Sequence, residues 1–402
     1  MIIGADEIAI EGAGIYVHVP FCRRRCPYCD FAVTVKVDIP HQRYAAAVID
    51  ELRRRRREVG DREVKTIYFG GGTPSLLAVE RLEEILEAAG ELFAVDPGAE
   101  VTLEANPNQV TQEALDGWRA AGINRLSLGC QSFQDRHLHA LRRNHDGHRA
   151  LEAARLAVEA MEQVSIDLMF GGPSQPMQEW REDLEILSEL AGECGLGHLS
   201  AYNLTIEPGT TFAIRARQKI IAPASDELAA AMMEELVEAA RLAGLERYEV
   251  SNFAVPGQES EHNSAYWRGR PYLGVGVGAH SLEVGASGGA VRRANPRSFR
   301  DYMERREEAA RQEELSPAVH LGERLVVGSR TRFGVRLGHL KEQFTGVSNT
   351  QRWRRIGDAL TRLCELGLMG ESEEQWFQPT PRGMDFADSL AAELYQAATE
   401  RG

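Results

Sequence analysis

The sequence has no apolar run long enough to span a bilayer. That excludes a membrane-spanning helix as the basis of its function. It is poor in positive charge: 46 Lys and Arg stand against 60 Asp and Glu, for a formal net charge of −14. A surface of that sign repels nucleic acid and anionic lipid unless a local patch overrides it. Lysine is nearly missing, with Lys36, Lys65, Lys219 and Lys341 the only four, a bias to which we attach no physical meaning. The one dense cationic block, Arg53 to Arg57, points around a helix in all directions and reads as a solvated, salt-bridged face, with nucleic-acid contact a minor alternative. Met1 to Gly12 lacks the basic start and apolar stretch of a secretory signal, so a cytoplasmic protein is expected. Low-complexity segments are absent, and no internal repeat stands out.

What is present is an ordinary globular composition, 43% hydrophobic and 26% charged, over 402 residues. That length accommodates two domains. Up to about residue 205, short apolar runs alternate with amphipathic ones. Strands are expected at Ile15–Val19, Val64–Phe69, Val101–Ala105, Arg125–Gly129, Val164–Phe170 and His198–Leu204. Helices are expected at His41–Val59, Val79–Phe93, Gln112–Ala121, up to Met161, at Met177–Leu190 and at Asp226–Leu242. Six such alternations imply a parallel sheet with right-handed crossovers. The strands read as near-continuously apolar, as when both faces are covered. Six units fall short of a closed eightfold barrel, so an α/β partial barrel or a doubly wound sheet fits. In both, ligands gather at the C-terminal strand ends.

After residue 250 the texture changes. Gly285 to Ala290 reads as a hairpin turn and Arg297 to Gln312 as a charged helix. Ile356 to Leu366 is an amphipathic helix ending at Gly367, and Leu368 to Pro379 follows as strand–turn–strand. Helix followed by hairpin is a winged-helix-like pattern. The segment is not basic, so a structural or docking lid is preferred to DNA binding.

The six cysteines are unevenly placed. Cys22-x3-Cys26-x2-Cys29 falls just after the first strand, while Cys130, Cys194 and Cys364 are scattered and read as small buried hydrophobes. Three thiolates on one short loop can hold three corners of a cubane iron–sulfur cluster, leaving the fourth iron open. Structural zinc takes four ligands. Only His18 or His41 is at hand to complete such a set, and the spacing is unusual for zinc. Gly70-Gly71-Gly72-Thr73-Pro74 follows the second strand directly and would bring backbone N–H and C=O groups close to a ligand. No Gly-Lys-Ser/Thr follows, so it is not a phosphate loop. Glu104 with Asn106 and Pro107, Gln131 with Ser132, and Asp167 sit at successive strand ends. Singly each would be a cap or turn residue. Together they look like one rim.

These residues carry a resemblance. The stretches Tyr16–Cys22, Tyr68–Ser75, Leu103–Pro107 and Ile166–Gly171 resemble the radical S-adenosylmethionine (SAM) superfamily, and within it the oxygen-independent coproporphyrinogen III oxidase family. The resemblance implies a partial (β/α)6 TIM-like barrel of the radical SAM type with a smaller C-terminal α+β, winged-helix-like domain. It divides the chain into a radical SAM core at 1–250, a connecting segment with the heme motif at 251–315 and a C-terminal HemN-like domain at 316–402. It implies a [4Fe-4S] cluster on Cys22, Cys26 and Cys29, with SAM on the open iron. The SAM site would be lined by Tyr16, Gly71, Gly72 and Thr73, with Glu104, Gln131, Arg143, Asp167 and Thr205 at the family's further contact positions. One-electron reduction would then cleave SAM to a deoxyadenosyl radical.

Two departures separate the chain from the oxidase branch. That branch has a fourth cysteine two positions past the third, where this chain has Phe31, and a longer segment before the first cysteine. His262-Asn263-Ser264-Ala265-Tyr266-Trp267 instead matches the His-Asn-x-x-Tyr-Trp stretch of the heme-chaperone, HemW-like branch. From chemistry alone a loop histidine beside buried aromatics is the commoner case. The match implies heme binding through His262, Tyr266 and Trp267, with His280 a second ligand position. The function expected is a heme-binding chaperone that hands heme, or another tetrapyrrole, to heme-receiving respiratory proteins. It would act as a monomer or homodimer without direct membrane insertion. The alternatives are oxidative decarboxylation of coproporphyrinogen III in porphyrin biosynthesis, and another radical reaction on a tetrapyrrole such as heme breakdown.

Overall fold

A computed structural model describes residues 12–305, 310–372 and 375–400. The N-terminal stretch before residue 12, and residues 306–309 of the helix expected over Arg297–Gln312, lie outside the described residues.

Six strand–helix units run in order: β1 (Ala13–Val19) and α1 (His41–Val59), β2 (Val64–Gly71) and α2 (Val79–Leu92), β3 (Val95–Ala105) and α3 (Gln112–Ala120), β4 (Arg125–Gln131) and α4 (Gly147–Ala160), β5 (Gln163–Phe170) and α5 (Met177–Cys194), β6 (His198–Asn203) and α6 (Asp226–Leu242). Neighbouring strands β1 to β6 pair in parallel. A seventh parallel strand lies on the free side of β1. It is β7 (Tyr272–Gly276), which reaches the sheet through a short helix, α7 (Glu261–Arg268). Antiparallel strands β8 (His280–Val284), β9 (Ala290–Ala294) and β10 (Arg311–Leu315) extend that side. Two short strands, Asn252–Ala254 and Glu246–Arg247, extend the other, so the sheet stays open. The charged run Arg297–Gln312 is helical over Phe299–Met303 and forms the edge strand from Arg311 onward, where the exposed polar run Arg311–Glu314 of β10 suits a solvated edge.

The strands are not continuously apolar. Ile15, Val17, Ile67, Phe69, Leu103, Leu126, Leu128, Ile166, Leu168, Leu199 and Ala201 face outward and are buried under the helices. The α1 side chains Tyr44, Val48 and Leu52 are fully buried against them. Each such side chain contributes roughly 1.5–3 kcal/mol of burial. With a side-chain period of two, the intervening residues point inward. They are largely polar: Tyr16, Tyr68, Thr102, Glu104, Ser127 and Asp167 among them. The register stacks them in levels: Gly14, Thr66 and Glu100 near the strand starts, then Tyr16, Tyr68 and Thr102, then His18, Gly70 and Glu104 near the C-terminal ends.

A separate apolar cluster between Leu321 and Ala398 holds the C-terminal part together. It packs α8 (Pro317–Gly328), α9 (Thr350–Glu365) and α10 (Ala387–Thr399) beside the hairpin of β11 (Met369–Ser372) and β12 (Trp376–Pro379). The helix-then-hairpin order is the one read from the sequence, and α7 packs against α8.

Candidate functional site

The cysteine loop begins where β1 ends. Phe21–Cys22 pairs with Thr34–Val35 in a two-residue parallel ladder that closes the loop at its base. Farther along, the Phe212 N–H donates to the Pro27 carbonyl (2.9 Å) and Arg297 Nη2 to the Asp30 carbonyl (2.5 Å). Cys22, Cys26 and Cys29 are half-buried and line one cavity of about 510 Å³ at the C-terminal strand ends. The same wall carries Gly71, Gly72, Thr73, Glu104, Gln131, Arg143 and Asp167. The structure therefore brings together ten of the twelve positions expected for cluster and SAM. Tyr16 lies a level below, its hydroxyl 3.1 Å from His18 Nδ1. Thr205 is exposed on the loop after β6 and is not on the cavity wall, whereas nearby Tyr202 and Glu207 are.

The glycine run is constrained by what it touches. Gly71 has φ of 115°, and a Cβ there would sit 2.5 Å from the His18 ring. A Cβ on Gly72 would meet the Phe21 carbonyl at 2.7 Å. The N–H groups of the turn are already committed: Gly71 donates to Glu104 Oε2 (3.0 Å), Gly72 to the Val19 carbonyl (2.9 Å) and Thr73 to the Phe21 carbonyl (2.8 Å). The run thus offers a ligand its acceptor side rather than both kinds of backbone group.

Glu104 also accepts from the Tyr68 hydroxyl (2.9 Å). Burial pushes its carboxyl up to about 7. Asp167 accepts from Ser127 Oγ (3.0 Å) and Ser165 Oγ (3.3 Å), and burial raises it as well. Gln131 holds a left-handed backbone, φ 71°, at an irregularity of β4, which is the kind of strained residue that gathers at functional sites. Arg143 Nη2 donates to the Gly129 carbonyl (2.9 Å), Nη1 lies 3.6 Å from Cys26 Sγ, and the buried Nε has no partner.

The donor set fits a cubane better than a single ion. Thiolates on one zinc lie within about 4 Å of each other. Among the described residues, no three His, Cys, Asp or Glu side chains could hold a metal ion. The histidines that might complete a zinc set are engaged elsewhere. His18 has a partner at each ring nitrogen, Tyr16 and the Ala32 carbonyl, and His41 Nδ1 accepts from the Ala78 N–H (3.1 Å). Burial pushes the Cys22 thiol up to about 11, so a thiolate there calls for nearby positive charge. Thr73 Oγ1 donates to Cys22 Sγ at 3.8 Å, and Arg143 to Cys26 Sγ, as suits ligand sulfurs.

Comparison with known proteins agrees with this geometry. Residues 16–187 match the model of the radical SAM superfamily. The heme chaperone HemW of Synechocystis is 36% identical, over 96% of this chain and 97% of its own length. The chain belongs to the HemW family of radical SAM proteins. HemW of Escherichia coli is 37% identical over 74% of this chain and 78% of its own. The mouse mitochondrial radical S-adenosyl methionine domain-containing protein 1 is 36% identical over 92% and 82%. Coproporphyrinogen III oxidase (HemN) of E. coli shares the fold, with a TM-score of 0.78 over 98% of this chain and 92% of its own at 22% identity. Membership of the superfamily brings SAM and a [4Fe-4S] cluster with it.

Within this HemW-family chain the His262 stretch is a helix, not a loop. Glu100, buried at the strand starts, accepts from the N–H groups of Glu261 (2.8 Å) and His262 (3.0 Å), and Ser260 caps α7. His262 is buried, with Nδ1 2.7 Å from Thr66 Oγ1 and Nε2 2.9 Å from the Tyr266 hydroxyl. Its ring stacks on Tyr68, 5.0 Å between centroids, and burial drives its pKa down to about 3. Together with Tyr16, Tyr68 and Tyr266 it lines an inner polar cavity of about 210 Å³ beneath Glu104 and Asp167. Trp267 is half-buried with its indole nitrogen unpartnered, and its carbonyl accepts from Arg324 of α8. His280 is exposed and shares the wall of a separate crevice with Tyr266, whereas His262 and Trp267 are not on that wall. The sequence reading missed Tyr68, Ser127 and Tyr202. The inward parity of polar residues in β2, β4 and β6 is the signal that marks them.

Proposed function

We propose that this chain binds heme and passes it to heme-requiring respiratory proteins, using a radical SAM core that holds a [4Fe-4S] cluster and SAM. The observation that carries the reading is the end-to-end match to a heme chaperone at 36% identity, with three cysteines sharing one cavity and Phe31 exposed beside them. We assign the cluster to Cys22, Cys26 and Cys29. The acceptor side of the Gly71–Gly72 turn suits an ammonium group, Arg143 a carboxylate, and Glu104 and Asp167 the hydroxyls of a ribose. Thr73 and Arg143 donate to the ligand sulfurs, and Gln131 shapes the wall. When bound, cluster and SAM supply one-electron chemistry. We further propose the division 1–250, 251–315 and 316–402 as core, connecting segment and C-terminal unit.

All six cysteines are free thiols, which suits the cytoplasm. Among the described residues no helix is long and apolar enough to cross a membrane. Delivery to a membrane-bound recipient would accordingly run through contact with that protein.

The test is a transfer assay. The chain is reconstituted anaerobically, loaded with hemin and mixed with an apo heme protein, whose holo spectrum should appear at the expense of the donor's. A parallel sample receives coproporphyrinogen III, SAM and a reductant. Loss of two propionates there, without hemin binding, would replace this reading with the oxidase one.

A further inference from the structure

We propose that the rim of the cysteine cavity is the docking surface for an acidic protein that delivers one electron to the cluster. Arg23, Arg24, Arg25 and Arg142 would meet its carboxylates, and Val35 and Val37 would form the apolar centre of the contact. The proposal rests on the assignment of the cluster to Cys22, Cys26 and Cys29 and goes beyond the heme-carrier reading. Arg23, Arg24 and Arg25 fill all three positions between Cys22 and Cys26. With Arg142 they line the same cavity as the cysteines, and all four are exposed.

The chain carries a net charge of −14, so four cations gathered on one rim reverse its surface locally. Their charge is also unspent. In the arginine block of α1, Arg54 and Arg55 are held by carboxylates. No ion pair to any of the four rim arginines is present among the described residues. Arg23 Nη1 donates to the Val37 carbonyl (2.8 Å) and Arg25 Nη2 to the Cys29 carbonyl (3.4 Å), contacts that prop the side chains without neutralising them. Arg142 holds a left-handed backbone, φ 53°, the kind of strain that gathers at functional sites. Apart from the inward-facing Glu104 and Asp167, the carboxylates on the cavity wall are Asp30 and Glu207, so the rim keeps an excess of positive charge.

The apolar part of the surface lies against a cluster ligand. Thr34–Val35 pairs with Phe21–Cys22, and the Lys36 N–H donates to the Cys22 carbonyl (3.3 Å). Val35 is 52% exposed and Val37 81%, with Phe31 at 57% on the cavity wall. Paired strands lie about 4.8 Å apart, so a protein seated on Val35 is one strand away from the backbone of Cys22. An apolar centre inside a polar rim is the build of a protein interface. Electron-transfer encounters are small and weak, and charge complementarity steers them. The step itself is simple: one electron leaves the reduced centre of the partner for the cluster, no bond forms or breaks, and no proton moves.

The probe is an acidic plant-type [2Fe-2S] ferredoxin, whose potential of about −400 mV makes it a strong one-electron donor. Its binding to the cluster-reconstituted chain is measured by surface plasmon resonance with both proteins oxidised, at low and at high salt, so the readout does not depend on turnover. Wild type is compared with Arg24→Glu, Arg142→Glu and Val37→Asp, and with Arg155→Glu at an exposed position of α4 as the control. Each variant is checked for iron content and circular dichroism. Wild type should bind at low salt and release at high salt. The three rim variants should bind at least about tenfold more weakly, and reduced ferredoxin should reduce their clusters more slowly by a similar factor. Arg155→Glu should match wild type. Should Arg24→Glu assemble no cluster, Arg142→Glu and Val37→Asp, outside the cysteine segment, carry the test. Wild-type affinity in the rim variants, or no ferredoxin binding by wild type, would overturn the docking surface. Rim variants that keep ferredoxin and lose hemin would also overturn it, and would give these arginines to the cargo. A reconstituted wild type without cluster absorption would remove the cluster assignment itself, a result distinct from weak docking.

Discussion

Arg55 bolts α1 to the open side of the sheet, and removing it tests that account of the fold. Its side chain is almost fully buried, and all five of its N–H donors are used. Nε and Nη2 donate to the Glu58 carboxylate (2.9 and 2.6 Å), Nη1 to Glu51 Oε1 (2.8 Å) and the Gly274 carbonyl (2.7 Å), and Nη2 also to Ser281 Oγ (2.7 Å). Glu51 in turn accepts from the Gly276 N–H (3.0 Å), the Tyr302 hydroxyl (2.8 Å) and Asn295 Nδ2 (2.7 Å). Arg55→Ala leaves the Glu51 carboxylate buried without its cation, and leaves the Gly274 carbonyl only Ser281 Oγ at 3.3 Å. Removing one partner of a buried pair costs about 3–5 kcal/mol, a large share of a total stability of about 5–15 kcal/mol. The control stands next to it. Arg54 pairs with Asp50 at 2.9 Å on the exposed face of the same helix, and a surface pair is worth about 0–1 kcal/mol. Urea unfolding followed by circular dichroism should show a much lower first midpoint for Arg55→Ala than for Arg54→Ala. Hydrogen exchange at β7 should quicken in the first variant alone. Equal shifts, within about 1 kcal/mol, would refute the bolt.

Four other outcomes follow from the site. Single Cys22→Ala, Cys26→Ala or Cys29→Ala should abolish the visible absorption of the reconstituted cluster and lower bound iron, whereas Cys130→Ala, at a buried thiol on β4, should leave both intact. Gly71→Ala combines φ of 115° with a Cβ 2.5 Å from the His18 ring, so SAM binding by equilibrium dialysis should fall well below wild type while α-helix content holds. Arg143→Met removes the N–H beside Cys26 Sγ, and the reduction potential of the cluster should drop, read by redox titration. Burial raises Glu104 from 4.5, and Asp183 of α5, which accepts from Ser132 Oγ (2.7 Å) and the Phe133 N–H (2.8 Å), from 3.8, each to about 7 in the folded chain. The folded state then binds more protons than the unfolded state between those values, so stability falls as pH rises through that window and is level above about 7. Glu104→Gln should flatten part of that slope in unfolding midpoints taken across the window, and an unchanged slope would contradict the raised carboxyl.

Much of the core was legible because its signals are local. The start and end of α1 and α6 follow from apolar spacing alone, and in the sequence itself the strand ends line up the cysteines, the glycine turn, Glu104 and Asp167. Signals that depend on distant partners were not legible. Arg55 sits in a run of five arginines whose residue type says surface, and only Gly274, Ser281 and Glu51 converging from elsewhere make it a core residue. The parallel strand β7 lies more than 250 residues from its neighbour β1, so no βα rhythm announces it.

The His262 stretch shows the limit most clearly. Its motif was read as a heme-binding stretch, with a loop histidine beside buried aromatics as the commoner case from chemistry alone, yet its own spacing points to a helix. His262 and Tyr266 are four apart, which on a helix places them on one face, and the 2.9 Å contact between them is that neighbour pair. A face bearing an imidazole and a phenol, entered by a helix whose first N–H groups need an acceptor, fits the polar interior where Glu100 and Thr66 wait. The same inward polarity of β1 to β6 that builds the SAM-sized cavity above therefore gives His262 its partners below.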